Sequence, residues 1–120
     1  MNAKHILQRA LVLLNYVDAN GQPAPDAAIG KRAVGVINQI AADLTFAADP
    51  DADFVPIARL DEDVALDGRI AHGVMPYGVA MLLAQSEGDA DNQAVFAAIY
   101  NRKRAAAGGF AQRRLDVLPK

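Results

Sequence analysis

Cysteine and tryptophan are absent from this 120-residue chain, histidine occurs only at His5 and His72, and the single serine is Ser86. Without cysteine there is no disulfide, no thiolate metal centre and no sulfur nucleophile. A Ser/His/Asp arrangement would have to use Ser86, which has no glycine-rich elbow around it. The two histidines fall on different predicted elements without ligand spacing, which argues against a metal site. Neither GxGxxG nor GxxxxGK[ST] occurs. Aromatic residues make up 6% of the chain, too few to suggest a base-stacking surface. No apolar run approaches the roughly 20 residues of a membrane span. The start, Met1-Asn2-Ala3-Lys4-His5, lacks the unbroken apolar stretch of an export signal. The expectation is a cytoplasmic, helix-rich domain that is not an enzyme, carries no cofactor or metal and avoids membranes.

What is present is a chain that can form a core. Hydrophobic residues account for 52% and charged residues for 22%, a globular composition. At this length one domain, residues 1–120, is expected. Ile6, Leu7, Ala10, Leu11, Leu14 and Val17 recur at helical spacing, so the segment from Ala3 to Val17 reads as a helix capped by Asn2. Gly21 and Pro23 end it. A second helix follows Pro25, with Asp26 as cap or first-turn acid and Ile29, Ala33, Val36, Ile37, Ile40 and Leu44 inward. Lys31, Arg32, Gln39 and Asp43 are expected to face out, and Gly30 and Gly35 suggest either close helix packing or simple tolerance.

The stretch Phe54–Leu60 reads as a short strand or hairpin, confined to an edge by Pro56. A third helix is expected from Asp67 to about Glu87, central because Val79, Leu82 and Leu83 add to an already apolar face. Pro76 must bend it there or divide it, and a bent helix is the favoured form. A fourth helix, capped by Asp89 or Asp91, is expected to run to Ala107 with Ala94, Val95, Ala98, Ile99 and Ala105 inward, and to end at Gly108-Gly109. Gln112–Leu118 alternates like a strand. The fold class is therefore mainly α: a four-helix, bundle-like domain with a β insertion and an extended C-terminal segment. Asp49-Pro50-Asp51-Ala52-Asp53 begins like a calcium loop, but Phe54 and Leu60 stand where that loop needs Gly and Glu, so it reads as a solvated turn.

Charge is unevenly spread. Residues 61–91 hold seven acidic side chains against Arg69 alone, whereas residues 92–120 hold six basic ones against Asp116. One interpretation is a solvated face on each of two helices. The other is a pair of complementary surfaces that join copies head to tail. In that case the interface candidates are Asp61, Glu62 and Asp63 on one side. On the other they are Arg102, Lys103, Arg104, Arg113 and Arg114, with Leu115, Val117 and Leu118. Consecutive acids such as Asp61–Asp63 diverge and are usually solvated. The alternative is a small helical nucleic-acid-binding or regulatory protein using the same five cations, although the acidic stretch would repel phosphate.

Several blocks together resemble a known family: Val36–Leu44, Leu60–Leu66, Val74–Ala84, Gly88-Asp89, Phe96–Arg104 and Leu115–Pro119. The combination, over most of residues 3–119, is similar to the head–tail connector (adaptor) proteins of bacteriophages and prophages. The resemblance implies a helical bundle with a β insertion and a mobile C-terminal segment at about 109–120. It implies a ring of the protein's own copies beneath the portal protein, extending the DNA channel and presenting a surface to a stopper or tail protein. DNA would pass through without specific binding. The location would be the neck of the virion, with host cytoplasm during assembly. No catalytic residues carry over. The matched positions are structural, namely the Pro76-Tyr77 bend and the Tyr100–Arg104 helix end, and Phe110–Lys120 would dock on the portal.

Overall fold

The computed structural model describes the backbone of residues 1–116 and the side chains of residues 1–107. Over that span the chain is mainly α-helical: α1 (Ala3–Leu13), α2 (Ala27–Ala48), α3 (Gly68–Gly73), α4 (Met75–Ser86) and α5 (Ala90–Asp116).

The helix ends follow local chemistry. The Asn2 side chain accepts from the His5 N–H at 3.0 Å, and the Asp26 side chain from the Ile29 N–H at 2.8 Å. Both satisfy a donor that the first helical turn leaves unpaired. At the end of α1, Asn15 takes φ +61°, the Tyr16 N–H donates to the Leu11 carbonyl and the Asn15 N–H to that of Val12. The end of α4 repeats this around Gly88 at φ +70°, with the Asp89 N–H on Ala84 and the Gly88 N–H on Gln85. These are Schellman closures, which need a left-handed residue just beyond the helix. Asp89 then caps α5 through the Asn92 N–H, so the turn between the two helices is very short.

Helix α4 is the hub. It packs against α1, α2, α3 and α5, and Met75, Pro76, Gly78, Val79, Ala80, Leu83 and Ala84 are all buried. Around it lie Ile6, Leu7, Leu11, Ile37, Ile40, Phe96 and Tyr100. The approach is closest at Gly78, where an added Cβ would stand 2.7 Å from the Tyr100 ring and 2.9 Å from Cδ1 of Ile40. Of the two readings of Gly30 and Gly35, simple tolerance is the one the fold bears out. Gly30 and Gly35 are exposed with open space at the Cβ position, and Gly78 is the packing glycine.

Four expectations need correction. Pro76 does not bend a continuous helix. Val74 closes α3 and opens α4, and Pro76 sits in the first turn of α4, where its missing N–H leaves no hydrogen bond broken. Phe54–Leu60 forms no strand. The Asn38 side-chain amide takes both backbone groups of Ile57, at 2.8 and 2.9 Å, and the Glu62 carboxylate takes the N–H groups of Ala58 and Arg59, so side chains occupy the places of a partner strand. Among the described residues the only β pairing is two isolated bridges, Asn2 with Asp63 and Val17 with Pro23. The inward face of α5 is Phe96 and Tyr100, whereas Ala94, Val95, Ala98 and Ala105 are exposed. Finally, α5 continues through Gly108-Gly109 to Asp116, so residues 112–116 are helical and not a strand. Each glycine costs about 1 kcal/mol relative to Ala, and the flanking Ala, Gln and Arg residues favour the helix enough to offset this. Val117 and Leu118, the end of the expected strand, lie outside the described residues, as does the end of the expected mobile tail.

The glycine assignment makes opposed predictions. Gly78→Ala should lower unfolding free energy by roughly 1–3 kcal/mol through overpacking. Gly30→Ala and Gly35→Ala should each raise it by about 0.5–1 kcal/mol. Urea denaturation followed by circular dichroism reads both signs.

Candidate functional site

The polar features of the molecule gather in three places. The first joins α2 to α5. Arg104 donates to Asp43 through Nε at 2.7 Å and Nη2 at 3.1 Å, and the Tyr100 hydroxyl donates to the same carboxylate at 2.6 Å. Burial alone would raise the Asp43 pKa. The hydrogen bonds from Arg104 and Tyr100, with the guanidinium charge, outweigh it and hold Asp43 below the usual carboxylate range. The same arrangement, led by burial, pushes Tyr100 well above the ordinary phenol value. One residue earlier on α5, Lys103 places its ammonium 4.8 Å from the centre of the Tyr77 ring, within cation–π range.

The second joins the end of α1 to the start of α5. The Tyr16 hydroxyl donates to Oδ2 of Asp89 at 3.0 Å, and Asn92 Nδ2 donates to that oxygen at 2.7 Å. Burial and the Asp89 contact push Tyr16 up to about 12, while the bonds from Asn92 and Tyr16 hold Asp89 below its normal value.

The third is the loop between α2 and α3. The Asn38 and Thr45 side chains line a cleft of about 40 Å³ with Ala41, Phe54, Ile57 and Leu66. That volume admits a water molecule and not a metabolite. Two of its side chains are already engaged, Asn38 by Ile57 and the Thr45 hydroxyl by the Ala41 carbonyl at 2.7 Å. Backbone bonds pin the loop to the first turn of α1, from the Ala3 N–H to the Glu62 carbonyl and from the Lys4 N–H to the Leu60 carbonyl, both 2.9 Å.

The candidate interface residues therefore have unequal duties. Asp61 pairs with Arg59 at 3.1 Å on an open surface, Glu62 is the loop staple, and Asp63 bridges the backbone at Asn2 with its side chain exposed. Arg104 and Lys103 are committed to Asp43 and Tyr77, and Arg102 stands exposed. No ion pair joins the acidic and basic triplets among the described residues. Arg113, Arg114 and Leu115 lie on helical backbone, but their side chains, like all of Val117 and Leu118, are outside the described residues. Among the described residues no group of three or more His, Cys, Asp or Glu is placed to hold a metal, and no helix is long and apolar enough to cross a membrane. His5 and His72 are both exposed, and the Ser86 hydroxyl donates to the Leu83 carbonyl at 2.9 Å.

No protein-family model, curated protein or solved structure matches the chain.

The sequence reading missed Asp43, Tyr16 and Asn38. Asp43 was placed outward with Lys31 and Gln39, yet it borders the buried stripe of Ile40 and Leu44 and faces the Tyr100–Arg104 turn. A signal for it did exist: Tyr100 and Arg104 are four apart, so one face of α5 offers a hydroxyl and a cation together.

The Asp43 contacts are structural ties with a pH signature. The Asp43 carboxylate is held low in the folded state, so its contribution is present above about pH 4 and disappears as pH falls through the folded value. The tyrosines have the opposite sense. Tyr16 and Tyr100 ionise more easily once unfolded, so their contribution is intact below about pH 10 and is lost as pH rises toward the folded values. Tyr100→Phe should cost about 1 kcal/mol and Asp43→Ala about 2 kcal/mol. Measured unfolding free energies at pH 3, 7 and 11 should fall at both extremes, with the acid fall reduced in Asp43→Ala.

Proposed function

We propose that this chain is a structural subunit of a bacteriophage or prophage particle, a ring-forming connector between the capsid portal and the tail. The observation that carries the proposal is the long helix α5. Its 27 residues extend about 40 Å. Phe96, Tyr100 and Arg104 attach one face to the body, while Ala94, Val95, Ala98, Arg102 and Ala105 leave the other face open. In this proposal α1, α2, α4 and the inner face of α5 form the bundle-like body of the subunit, and the open face and far end of α5 are the arm that meets neighbours. The Asn38 and Thr45 side chains at the small cleft are engaged in holding the fold, which fits a part that is assembled more than a part that transforms a substrate. Partners would be other copies of this chain, the portal protein and a stopper or tail protein, in the virion neck. DNA would slide through a net negative subunit without being gripped.

The nucleic-acid alternative is the weaker one because Lys103 and Arg104 already face Tyr77 and Asp43.

Purified chain mixed with the portal protein encoded nearest to it should co-sediment and show an added ring by electron microscopy. The same chain should not retard nonspecific duplex DNA at low salt. A chain that stays apart from the portal at every salt concentration, or that shifts DNA strongly, overturns the assignment.

A further inference from the structure

We propose that the C-terminal residues 113–120 of one copy seat on the exposed rim of the cleft in the residue 49–67 loop of the next copy, joining subunits head to tail. The inference deepens the ring assignment above and rests on it for its setting, but the contact is argued from the loop itself.

The receiving surface is apolar and extended. Val55 on the cleft rim is 80% exposed, with the half-buried Phe54 beside it. Among the described residues the N–H groups of Asp53, Phe54 and Val55 meet no acceptor, although those of Ile57, Ala58 and Arg59 are all taken by side chains. An exposed run of unpaired backbone beside an apolar cleft is the kind of edge that accepts another chain segment.

Charge selects the occupant. Residues 49–67 carry seven acidic side chains against Arg59, and Asp53 lines the cleft. A fitting segment is therefore basic and apolar together. Residues 113–120 read Arg-Arg-Leu-Asp-Val-Leu-Pro-Lys, with Arg113, Arg114 and Lys120 for the aspartates and Leu115, Val117 and Leu118 for the apolar rim at Phe54 and Val55.

Reach makes the contact intermolecular. Arg32 of α2 meets the Ser86 carbonyl just before α5, and Asp43 meets Arg104, so α2 and α5 run the same way. Beyond Arg104, α5 rises for twelve more residues, about 18 Å, while α2 ends about 7 Å past Asp43. Asn38, Ala41 and Thr45, which floor the cleft, lie roughly half a turn around α2 from Asp43, on the side away from α5. The four residues after Asp116 span at most about 14 Å, too short to pass back along a helix about 10 Å thick and around it. The cleft that this tail reaches belongs to another copy. A donor at one end and an acceptor at the other is a heterologous contact, the type that closes rings.

The test uses the full chain without portal, by sedimentation equilibrium. Self-association should weaken at least about tenfold between about 50 mM and 500 mM salt, because the contact is screened. The double variant R113E/R114E should lose a similar factor, V55D likewise, and D51K/D53K combined with R113E/R114E should recover association. Both sets of positions are on surface loops or the chain end, so folding is checked by an unchanged far-ultraviolet spectrum. Wild-type association that is absent, or indifferent to salt and to all these changes, overturns the inference. If R113E/R114E abolishes portal binding while self-association persists, the tail belongs to the portal, and the inference fails while the connector assignment stands.

Discussion

Everything in this fold depends on α4 coming close enough to α2 and α5 for the chain to close around it. The absence of a side chain at Gly78 permits that approach, since Tyr100 and Ile40 occupy the space a Cβ would need. Tyr100 is then fixed both by packing and by its hydroxyl on Asp43, and Arg104 one turn along completes the tie. The apolar and polar parts of the contact are thus one unit. The ring is buried only because the glycine yields room, and the carboxylate is held ionised only because the ring and guanidinium arrive together.

Elements whose information is local were legible from the residues. Asn2, Asp26 and Asp89 cap the helices they were expected to cap, and the apolar stripe of α2 is buried as its spacing implies. Gly88 closes its helix because only a left-handed residue fits there. Two of the failures are cases where a distant group decided the outcome. Pro56 and β-propensity marked Phe54–Leu60 as an edge strand, but Asn38 and Glu62 supplied the bonds that a neighbouring strand would have supplied. The inner face of α5 could not be chosen from periodicity, because Ala94, Val95 and Ala98 form as regular a stripe as Phe96, Tyr100 and Arg104. Volume and polarity at Gly78 and Asp43 made the choice.

The charge gradient shows the same contrast between composition and placement. Counted along the sequence, residues 102–104 are a basic block. In the fold, two of the three are spent within the molecule and Arg102 is left facing solvent. The acidic triplet is similarly divided between a loop staple, a local ion pair and an open aspartate. A surface argument therefore has to be made from the charges that remain outward, not from the block counts.

That distinction bears on how a subunit like this could assemble without premature aggregation. The apolar residues on the described part of the open face of α5 are alanines with one valine, so it offers little apolar area and a weak contact by itself. The loop edge around Val55 is more adhesive, but aspartates surround it, and two identical acidic edges repel each other. Like-to-like pairing is thereby disfavoured, and association requires a surface of opposite charge. Several weak contacts of that kind, closed into a ring on a template, gain strength from one another through effective concentration. A subunit so arranged would associate weakly and reversibly when alone and assemble fully where a template gathers it, which is the behaviour an ordered sequence of assembly steps requires.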